Sequence, residues 1–472
     1  HAAGVLVERD TDALGLCQEL ASSTRTETRL AAARALEHAR PSRSVVISDT
    51  LSRLASDDHT DVARAALRAL AKHPSSPAIA VALQSLHRRD LRGAAVRALA
   101  DMGVIAGSRI ATELKSNQDE AYLAAALTWI LGRIASRNGI EALVDALSAR
   151  HVETRLAAAV ALTSLHRRFP GEALPHSRIT ERHLAEIEFY RTMRRASSAK
   201  LTRSPASILL RQALKQRSKA SLECLFRLLA LQYPEDAIQG AFSGIASTDS
   251  RQRQIALELL HTLIDPGIGA ALAAAVAPPR HSAPDRHETK RLLPAIAQDK
   301  DRFVGGLARA VLVELRLAPT KALGDAMTQS LVNQVLELQA LTLFSQSSAE
   351  DLAELASLVR AQTYPKNTVL YRQGDTPDAC YLVRSGAVAI SLDDADIDRL
   401  GPGDACGIIA ILDQLPREAT ATTASECSMF VIRAEDLLQL VADRPLLMHT
   451  IFRALTYAIR EQTARVALEK RK

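Results

Sequence analysis

The sequence predicts a multidomain protein of α plus α+β class. We expect an α-solenoid of helix pairs over residues 1–340, then a jelly-roll-like β-roll flanked by helices over residues 341–472. Three observations predict this. An Ala/Leu-rich segment with an acid at its start recurs before residue 170, and short β-like runs begin at residue 366. Aromatic residues make up only 3% of the 472 residues, so the core must consist largely of small side chains.

The first part of the chain is an internal repeat. Each copy places an acid, a short step and then an Ala/Leu-rich stretch, and a second amphipathic stretch follows several copies. A period near 30 residues predicts stacked helical hairpins, because each unit needs its neighbours to bury its apolar stripe. The copies lie at residues 27–36, 61–70, 90–99, 120–129 and 153–162, with starts 34, 29, 30 and 33 residues apart.

These segments resemble HEAT repeats, particularly the short bacterial kind. The resemblance is close over residues 10–170 and looser over residues 205–320. It implies a solenoid whose surface binds a protein partner. An irregular helical bundle is the alternative interpretation of the same pattern.

Two interruptions break the repeat: a Pro-rich loop at residues 278–285 and a basic segment at residues 189–219. The basic segment holds nine Arg or Lys and no acid, which leaves 50 basic and 53 acidic residues elsewhere. It fits a solvated loop, a contact for an acidic partner, an anionic membrane surface or membrane domain, or a nucleic-acid site. Nucleic acid is disfavoured, because no aromatic residues are interleaved with the basic ones for base stacking.

From residue 366 the pattern changes to short β-like runs bounded by Gly and Asp turns. Helices are expected before them at residues 349–359 and after them at residues 434–442 and 446–466. Strands with helices at both ends indicate a β-roll covered on one side. The predicted strands are residues 368–371, 380–385, 388–392, 397–400 and 428–433.

The most informative segment is a glycine-bounded turn at residues 403–412, which leads into a short apolar stretch and then to a lone arginine, Arg417. Backbone N–H groups at a helix start attract an anion, and an arginine neutralises it. The segment therefore predicts a site for one compact phosphate group.

Five ordered blocks carry a resemblance to the cyclic-nucleotide-binding domain family: residues 371–375, 380–386, 400–404, Gly407 and 416–420. The resemblance implies a phosphate-binding cassette for a cyclic nucleotide such as cAMP or cGMP. In it, Arg417 would pair with the cyclic phosphate, backbone N–H groups of residues 407–410 would bind it, and Ala419 would line the pocket. The predicted ligand-binding residues are Gly407, Ile408, Ile409, Ala410, Arg417, Glu418, Ala419 and Thr420.

The sequence departs from the family's pattern at two positions. Ile408 stands where the family has a glutamate that binds the ribose 2′-hydroxyl, and losing that charge-assisted bond weakens binding by roughly tenfold to a hundredfold. Glu418 can neutralise Arg417, repel a phosphate, or do neither if it points into solvent. Three outcomes stay open: a cyclic nucleotide binds, the domain is degenerate and binds no ligand, or a different anion binds.

We expect a non-enzymatic regulatory or sensor module that requires no cofactor. The sequence shows no P-loop, nucleophile elbow or metal box, and no run of 18 apolar residues that predicts a membrane span. The five cysteines lack the spacing of a metal clip, so reduced thiols in a cytoplasmic protein are expected.

Ligand binding at Arg417 would move the terminal helices and change how the domain packs on the solenoid. Two alternatives to this sensor remain. One is an interaction scaffold with a domain that binds no nucleotide. The other is the soluble regulatory part of a membrane transporter, because the domain combination also resembles cytosolic regions of bacterial ATP/ADP-translocase-like carriers.

Overall fold

A computed structural model gives the arrangement of most of the chain. It describes residues 11–39, 44–88, 90–118, 120–134, 136–199, 201–247, 249–277, 286–298, 302–319, 326–344, 347–393, 395–443, 451–452 and 456. The predicted Pro-rich loop, and all but three residues of the predicted 446–466 helix, lie outside this part. The chain forms two compact units, one of residues 1–193 with 217–280 and the other of residues 194–216 with 281–472.

The first part of the chain is helical, as the repeat pattern predicts. The repeated Ala/Leu-rich segments become the even-numbered helices from α2 to α10, and the odd-numbered helices lie between them. The helices are α1 (Thr11–Ala21), α2 (Thr26–Leu36), α3 (Ser44–Ala55), α4 (Thr60–Leu70), α5 (Ser76–Ser85), α6 (Arg92–Asp101), α7 (Val104–Ser116), α8 (Ala121–Leu131), α9 (Arg137–Ala146) and α10 (Val152–Arg168).

These ten helices stack in two layers. Each even-numbered helix packs against the next even one, and each odd-numbered helix against the next odd one. Alanine makes this close packing possible, and in α4 the side chains of Ala63, Ala66 and Ala69 are fully buried. Acids begin α2, α4 and α10, where a negative charge favours the positive end of the helix dipole.

Arginines near the start of the even helices connect neighbouring repeats. Arg29 donates to the Asp57 carboxylate at 2.6 Å and holds the pKa of that carboxyl below its usual value. In α10, Arg155 binds the buried Glu186 carboxylate, which also accepts a hydrogen bond from Ser221 Oγ at 2.7 Å. These directional bonds fix how neighbouring repeats are positioned relative to one another, which hydrophobic packing alone would not specify.

The basic segment at residues 189–219 lies mainly in two long helices, so it is not the solvated loop that the sequence allowed. Apolar residues recur along it at helical spacing, and Met193, Leu210 and Leu214 are buried. The helices that follow α10 are α11 (His176–Ser197), α12 (Pro205–Leu229), α13 (Glu235–Ala246), α14 (Ser250–Leu263), α15 (Pro266–Val276), α16 (Arg286–Ala297), α17 (Arg302–Glu314), α18 (Ala326–Ala340) and α19 (Ala349–Leu358).

The last part of the described chain is the predicted β-roll. Three short strands, β1, β6 and β7, were not predicted. The elements are β1 (Arg360–Tyr364), β2 (Val369–Tyr371), β3 (Ala379–Ser385), β4 (Val388–Leu392), β5 (Ala395–Leu400), β6 (Ala405–Cys406), α20 (Ile408–Asp413), β7 (Thr420–Thr423), β8 (Cys427–Arg433) and α21 (Ala434–Asp443).

Two antiparallel sheets form the roll, with strand orders β1-β8-β3-β6 and β2-β7-β4-β5. Alternate residues of both sheets face a shared core that includes Val383, Val388, Ala421 and Met429. The predicted cassette leaves the first sheet at β6 and returns to the second at β7, so α20 and Arg417 bridge the two sheets. None of the helices in the described residues is long and apolar enough to cross a bilayer.

Candidate functional site

Gly407 forms the turn between β6 and the short helix α20. Its φ is 78°, in the left-handed region, where a residue with a side chain would be strained. A Cβ at this position would collide with Nη1 of Arg417 and would lie 3.1 Å from a ring carbon of Tyr371. The sequence needs glycine here for two reasons, because both the turn and the close approach of the arginine exclude a side chain.

Arg417 lies in the loop between α20 and β7, and its side chain is 1% exposed. Nη1 donates to the carbonyl of Gly407 at 2.6 Å, and Nη2 donates to the carbonyl of Ala379 at 2.5 Å. The Asp378 carboxylate, which is largely exposed, lies 3.3 Å from Nη2. The arginine thus connects the cassette turn to the start of β3.

The backbone of Arg417 is held as firmly as its side chain. Its N–H donates to the carbonyl of Asp375 at 2.9 Å, and its carbonyl accepts from Gly374 N–H at 2.8 Å. The guanidinium carbon lies 4.2 Å from the centre of the Tyr371 ring, a cation–π contact. The loop after β2 therefore fixes where the guanidinium can lie.

One donor of this guanidinium is not satisfied. Arg417 Nε is buried and has no hydrogen-bond partner among the described residues. A buried donor without an acceptor costs about 1–3 kcal/mol, so such atoms are rare and call for an explanation. An acceptor supplied by an anion would remove this cost.

The thiol and phenol groups near the guanidinium are neutral at physiological pH. Burial raises the pKa of Cys406 and of Tyr381 to about 12, and it raises the pKa of Tyr371 well above its usual value, although the Arg417 charge opposes all three shifts. Among the residues that the structure describes, Asp378 is the one acid found paired with the guanidinium, and it is 78% exposed. An anion would therefore meet a desolvated cation with little competition from fixed acids.

The predicted residues of α20 divide by burial. Ile408 and Ala410 are buried, whereas Ile409 is 53% exposed. Ile408, at the position of the family's glutamate, contributes a hydrocarbon side chain with no acceptor. The interior of the site at this point is apolar.

The three residues that follow Arg417 lie at the surface or close to it. Glu418 is exposed, and no ion pair between it and Arg417 is found in the described part of the chain. Of the alternatives that the sequence allowed, the solvent-facing one describes this side chain. Ala419 and Thr420 are partly buried, and Thr420 Oγ1 accepts a hydrogen bond from Gln373 N–H at 3.0 Å.

Sequence analysis missed three partners of the arginine: Tyr371, Asp378 and Ala379. Tyr371 begins the first block of the family resemblance, and an aromatic residue ahead of a Gly-Asp turn was the available signal. Asp378 and Ala379 had no comparable signal, because Ala379 acts through its carbonyl. No cluster of metal-binding side chains occurs within the described ranges.

Comparison with known proteins supports both parts of the fold. A family model described as cyclic nucleotide-binding domain matches residues 361–444, and one described as HEAT repeats matches residues 13–103. The cyclic AMP receptor protein of Thermus thermophilus is 29% identical over 124 residues, which are 25% of this chain and 57% of that protein. A cyclic nucleotide-gated potassium channel of Rhizobium etli is 28% identical over 127 residues, 27% of this chain and 36% of the channel.

Among solved structures, the catabolite activator protein of Thermus thermophilus is 28% identical, with a TM-score of 0.25. The alignment covers 27% of this chain and 63% of that structure. This chain therefore spans between about a third and two thirds of the length of these similar proteins. Together the family matches show that the chain combines HEAT repeats, in residues 13–103, with a cyclic nucleotide-binding domain, in residues 361–444.

Proposed function

We propose that this protein is a non-enzymatic regulatory module in which the 361–444 domain binds a cyclic nucleotide and Arg417 is the phosphate partner. The observation that carries the proposal is the buried guanidinium beside Gly407, whose Nε has no acceptor among the described residues. Similarity to proteins named for cyclic AMP reception and cyclic-nucleotide gating supports the ligand class.

We expect binding to change the bonds of Arg417 as well as to satisfy Nε. Nη1 and Nη2 already donate to two backbone carbonyls, and a phosphate that binds Nε together with one of these terminal nitrogens would compete with a carbonyl. The exchange is favourable in principle, because a bond between two charged groups is roughly twice as strong as one to a neutral acceptor. Release of the Gly407 carbonyl would free the start of α20, and this gives ligand binding a structural consequence.

The apolar position 408 sets the affinity and the selectivity. Ile408 cannot accept a hydrogen bond from a ribose 2′-hydroxyl, so binding should be roughly tenfold to a hundredfold weaker than with a glutamate. For the same reason the protein should not distinguish cAMP from 2′-deoxy-cAMP. Submillimolar rather than nanomolar affinity is therefore the expected result.

The test is isothermal titration calorimetry of the full chain with cAMP, cGMP, cCMP, cUMP and 2′-deoxy-cAMP. Ile408→Glu should strengthen binding of the 2′-hydroxyl nucleotide by about tenfold or more and leave the deoxy analogue unchanged. Ile409→Glu is the matched control, because the neighbouring side chain is 53% exposed and should change neither.

Arg417→Lys should abolish binding, since an ammonium cannot present the same planar fork. Arg399→Lys, at an exposed position in β5, controls for the change of residue type. If neither the wild type nor folded Ile408→Glu binds any of these nucleotides, the sensor function is refuted.

Absence of binding would favour the second candidate, an interaction scaffold whose β-roll binds no nucleotide. A specific observation supports it: the guanidinium already bonds to Gly407, Ala379 and Asp378, as a structural arginine would. In that case Arg417→Lys would lower stability without a binding phenotype.

A further inference from the structure

A stripe of exposed side chains crosses the even-numbered helices of the solenoid. In each of α2, α4, α6, α8 and α10, a fully buried leucine is preceded two positions earlier by an exposed residue. Two residues turn an α-helix by about 200°, so the exposed residue points away from the core. We call these residues the Arg–Trp stripe: Arg34, Arg68, Arg97, Trp129 and Val160.

The stripe is continuous because its helices are neighbours. α2, α4, α6, α8 and α10 pack against one another in that order. Packed helix axes lie about 8–10 Å apart, so successive stripe residues repeat at about that distance. Three arginines come first, and a tryptophan and a valine that are 47% and 41% exposed follow.

The arginine half of the stripe carries unbalanced positive charge. Neither Arg34 nor Arg97 has an ion pair within the part of the chain that the structure describes. Arg68, 63% exposed, lies 4.0 Å from Glu37, and that carboxylate is shared with Lys72 at 3.4 Å. A second acid, the exposed Asp101, follows Arg97 by a single turn.

A cation also lies beside the aromatic half of the stripe. The Arg133 guanidinium lies 4.9 Å from the centre of the Trp129 ring. Acids at the starts of α2 and α4, Glu27 and Asp61, lie seven residues before the stripe, which is about 10 Å along the helix axis. The stripe itself therefore presents cations followed by an apolar platform.

We propose that the Arg–Trp stripe binds an extended acidic segment of a partner protein. A polyproline-II segment has three residues per turn and rises about 3.1 Å per residue, so every third side chain lies on one face about 9 Å apart. That spacing matches the spacing of the helices. The segment would place an acid at every third position against Arg34, Arg68 and Arg97, and then apolar side chains at the same spacing against Trp129 and Val160.

Single-stranded nucleic acid fits this surface less well. The stripe offers one aromatic ring rather than a series of platforms on which successive bases could stack. Partner binding at the stripe does not depend on the nucleotide site, so the two proposals fail separately.

The test uses the full chain without nucleotide and two synthetic peptides of equal composition and charge. The spaced peptide has glutamate at every third position in its first half and leucine at the same spacing in its second half. The blocked peptide has its glutamates side by side. Trp129 is the single tryptophan of the chain, so its emission reports directly on the stripe.

The spaced peptide should shift the Trp129 emission and bind about tenfold more tightly than the blocked one. Arg34→Ala with Arg97→Ala should weaken binding about three- to thirtyfold, as expected for two exposed charge pairs. The control pair, Arg25→Ala with Arg137→Ala, removes two exposed arginines outside the stripe and should have no effect.

Equal affinity for the two peptides, or equal loss in both double variants, would overturn the proposal. So would an oligothymidylate that competes more strongly than the spaced peptide and loses affinity in the stripe variant, because it would identify a nucleic-acid surface. Far-UV circular dichroism of each variant separates these results from unfolding.

Discussion

The contact between Gly407 and Arg417 can be measured with three glycine-to-alanine substitutions. Gly407 combines a left-handed φ with the collision that an added Cβ would make with Arg417 Nη1. Gly374 has a φ of 85° but nothing within 4 Å of an added Cβ, and Gly401 has neither problem. The three positions therefore separate backbone strain from loss of the arginine contact.

The expected magnitudes follow from these geometries. Alanine in the left-handed region costs about 1–2 kcal/mol. At Gly407 the guanidinium must also withdraw from the carbonyl that Nη1 binds at 2.6 Å, and a hydrogen bond to a charged group contributes about 1.5–3 kcal/mol. Gly407→Ala should therefore lower the local free energy of opening by about 3–5 kcal/mol, Gly374→Ala by about 1–2 kcal/mol, and Gly401→Ala by almost nothing.

Amide hydrogen exchange followed by mass spectrometry is the suitable assay, because it reports opening of each segment separately. Exchange in β3 and in the cassette should rise more than a hundredfold with Gly407→Ala and about tenfold with Gly374→Ala, since 1.4 kcal/mol corresponds to a factor of ten. If both substitutions raise exchange equally, the Arg417–Gly407 contact contributes nothing, and the structural part of our reasoning fails.

Three further predictions concern buried groups. Burial lowers the pKa of His183 to about 4, so the unfolded state binds more protons, and the solenoid should lose up to about 3 kcal/mol of stability as pH falls from about 6.5 to about 4. Urea unfolding followed by tryptophan emission should show this loss, and His183→Leu should remove it. Arg155→Met leaves the Glu186 carboxylate buried without its partner and should cost about 3–5 kcal/mol in urea, whereas adding Glu186→Leu should recover most of the loss. Burial raises the pKa of the Cys406 thiol to about 12, so iodoacetamide should not modify it at pH 8 unless the protein is denatured.

The helical part was predictable because its information is local and repeated. The acid and the Ala/Leu-rich stretch of each unit mark a helix start and a core face, and the second amphipathic stretches expected after the copies form helices such as α5 (Ser76–Ser85) and α9 (Arg137–Ala146). The basic segment was harder to predict, because its nine cations obscure the apolar residues at helical spacing that are buried in α11 and α12.

The β-roll was predictable only in part. Strands β3, β4 and β8 carry runs of apolar and β-branched residues, which are the usual strand signal, and Gly386 marks the turn between β3 and β4. β7 reads Thr-Ala-Thr-Thr: its threonines are β-branched, but it has one small apolar residue, and β2 and β4 pair with its two sides. Pairing with strands distant in sequence determines the structure of this segment, and those pairings are not evident in a single sequence.

The candidate site shows the same limit. The blocks around Arg417 located the cassette, but they did not reveal that the guanidinium would bind two carbonyls of its own domain. Those bonds depend on where Ala379 begins β3 and on the ring of Tyr371, 4.2 Å from the guanidinium. Residue types at a given spacing predicted the components of the site and not their mutual contacts.

If the proposed function is correct, the internal bonds of Arg417 set both the affinity and the size of the response. Each carbonyl bond that a phosphate replaces weakens binding, because its free energy must first be lost. The same bond restrains Gly407 and α20 in the ligand-free protein, so its release is what distinguishes the bound arrangement. A ligand shifts an equilibrium only by its differential affinity for the two arrangements. Asp378→Asn, which removes the carboxylate 3.3 Å from Nη2 without adding atoms to the site, should therefore tighten nucleotide binding at an undisturbed Arg417.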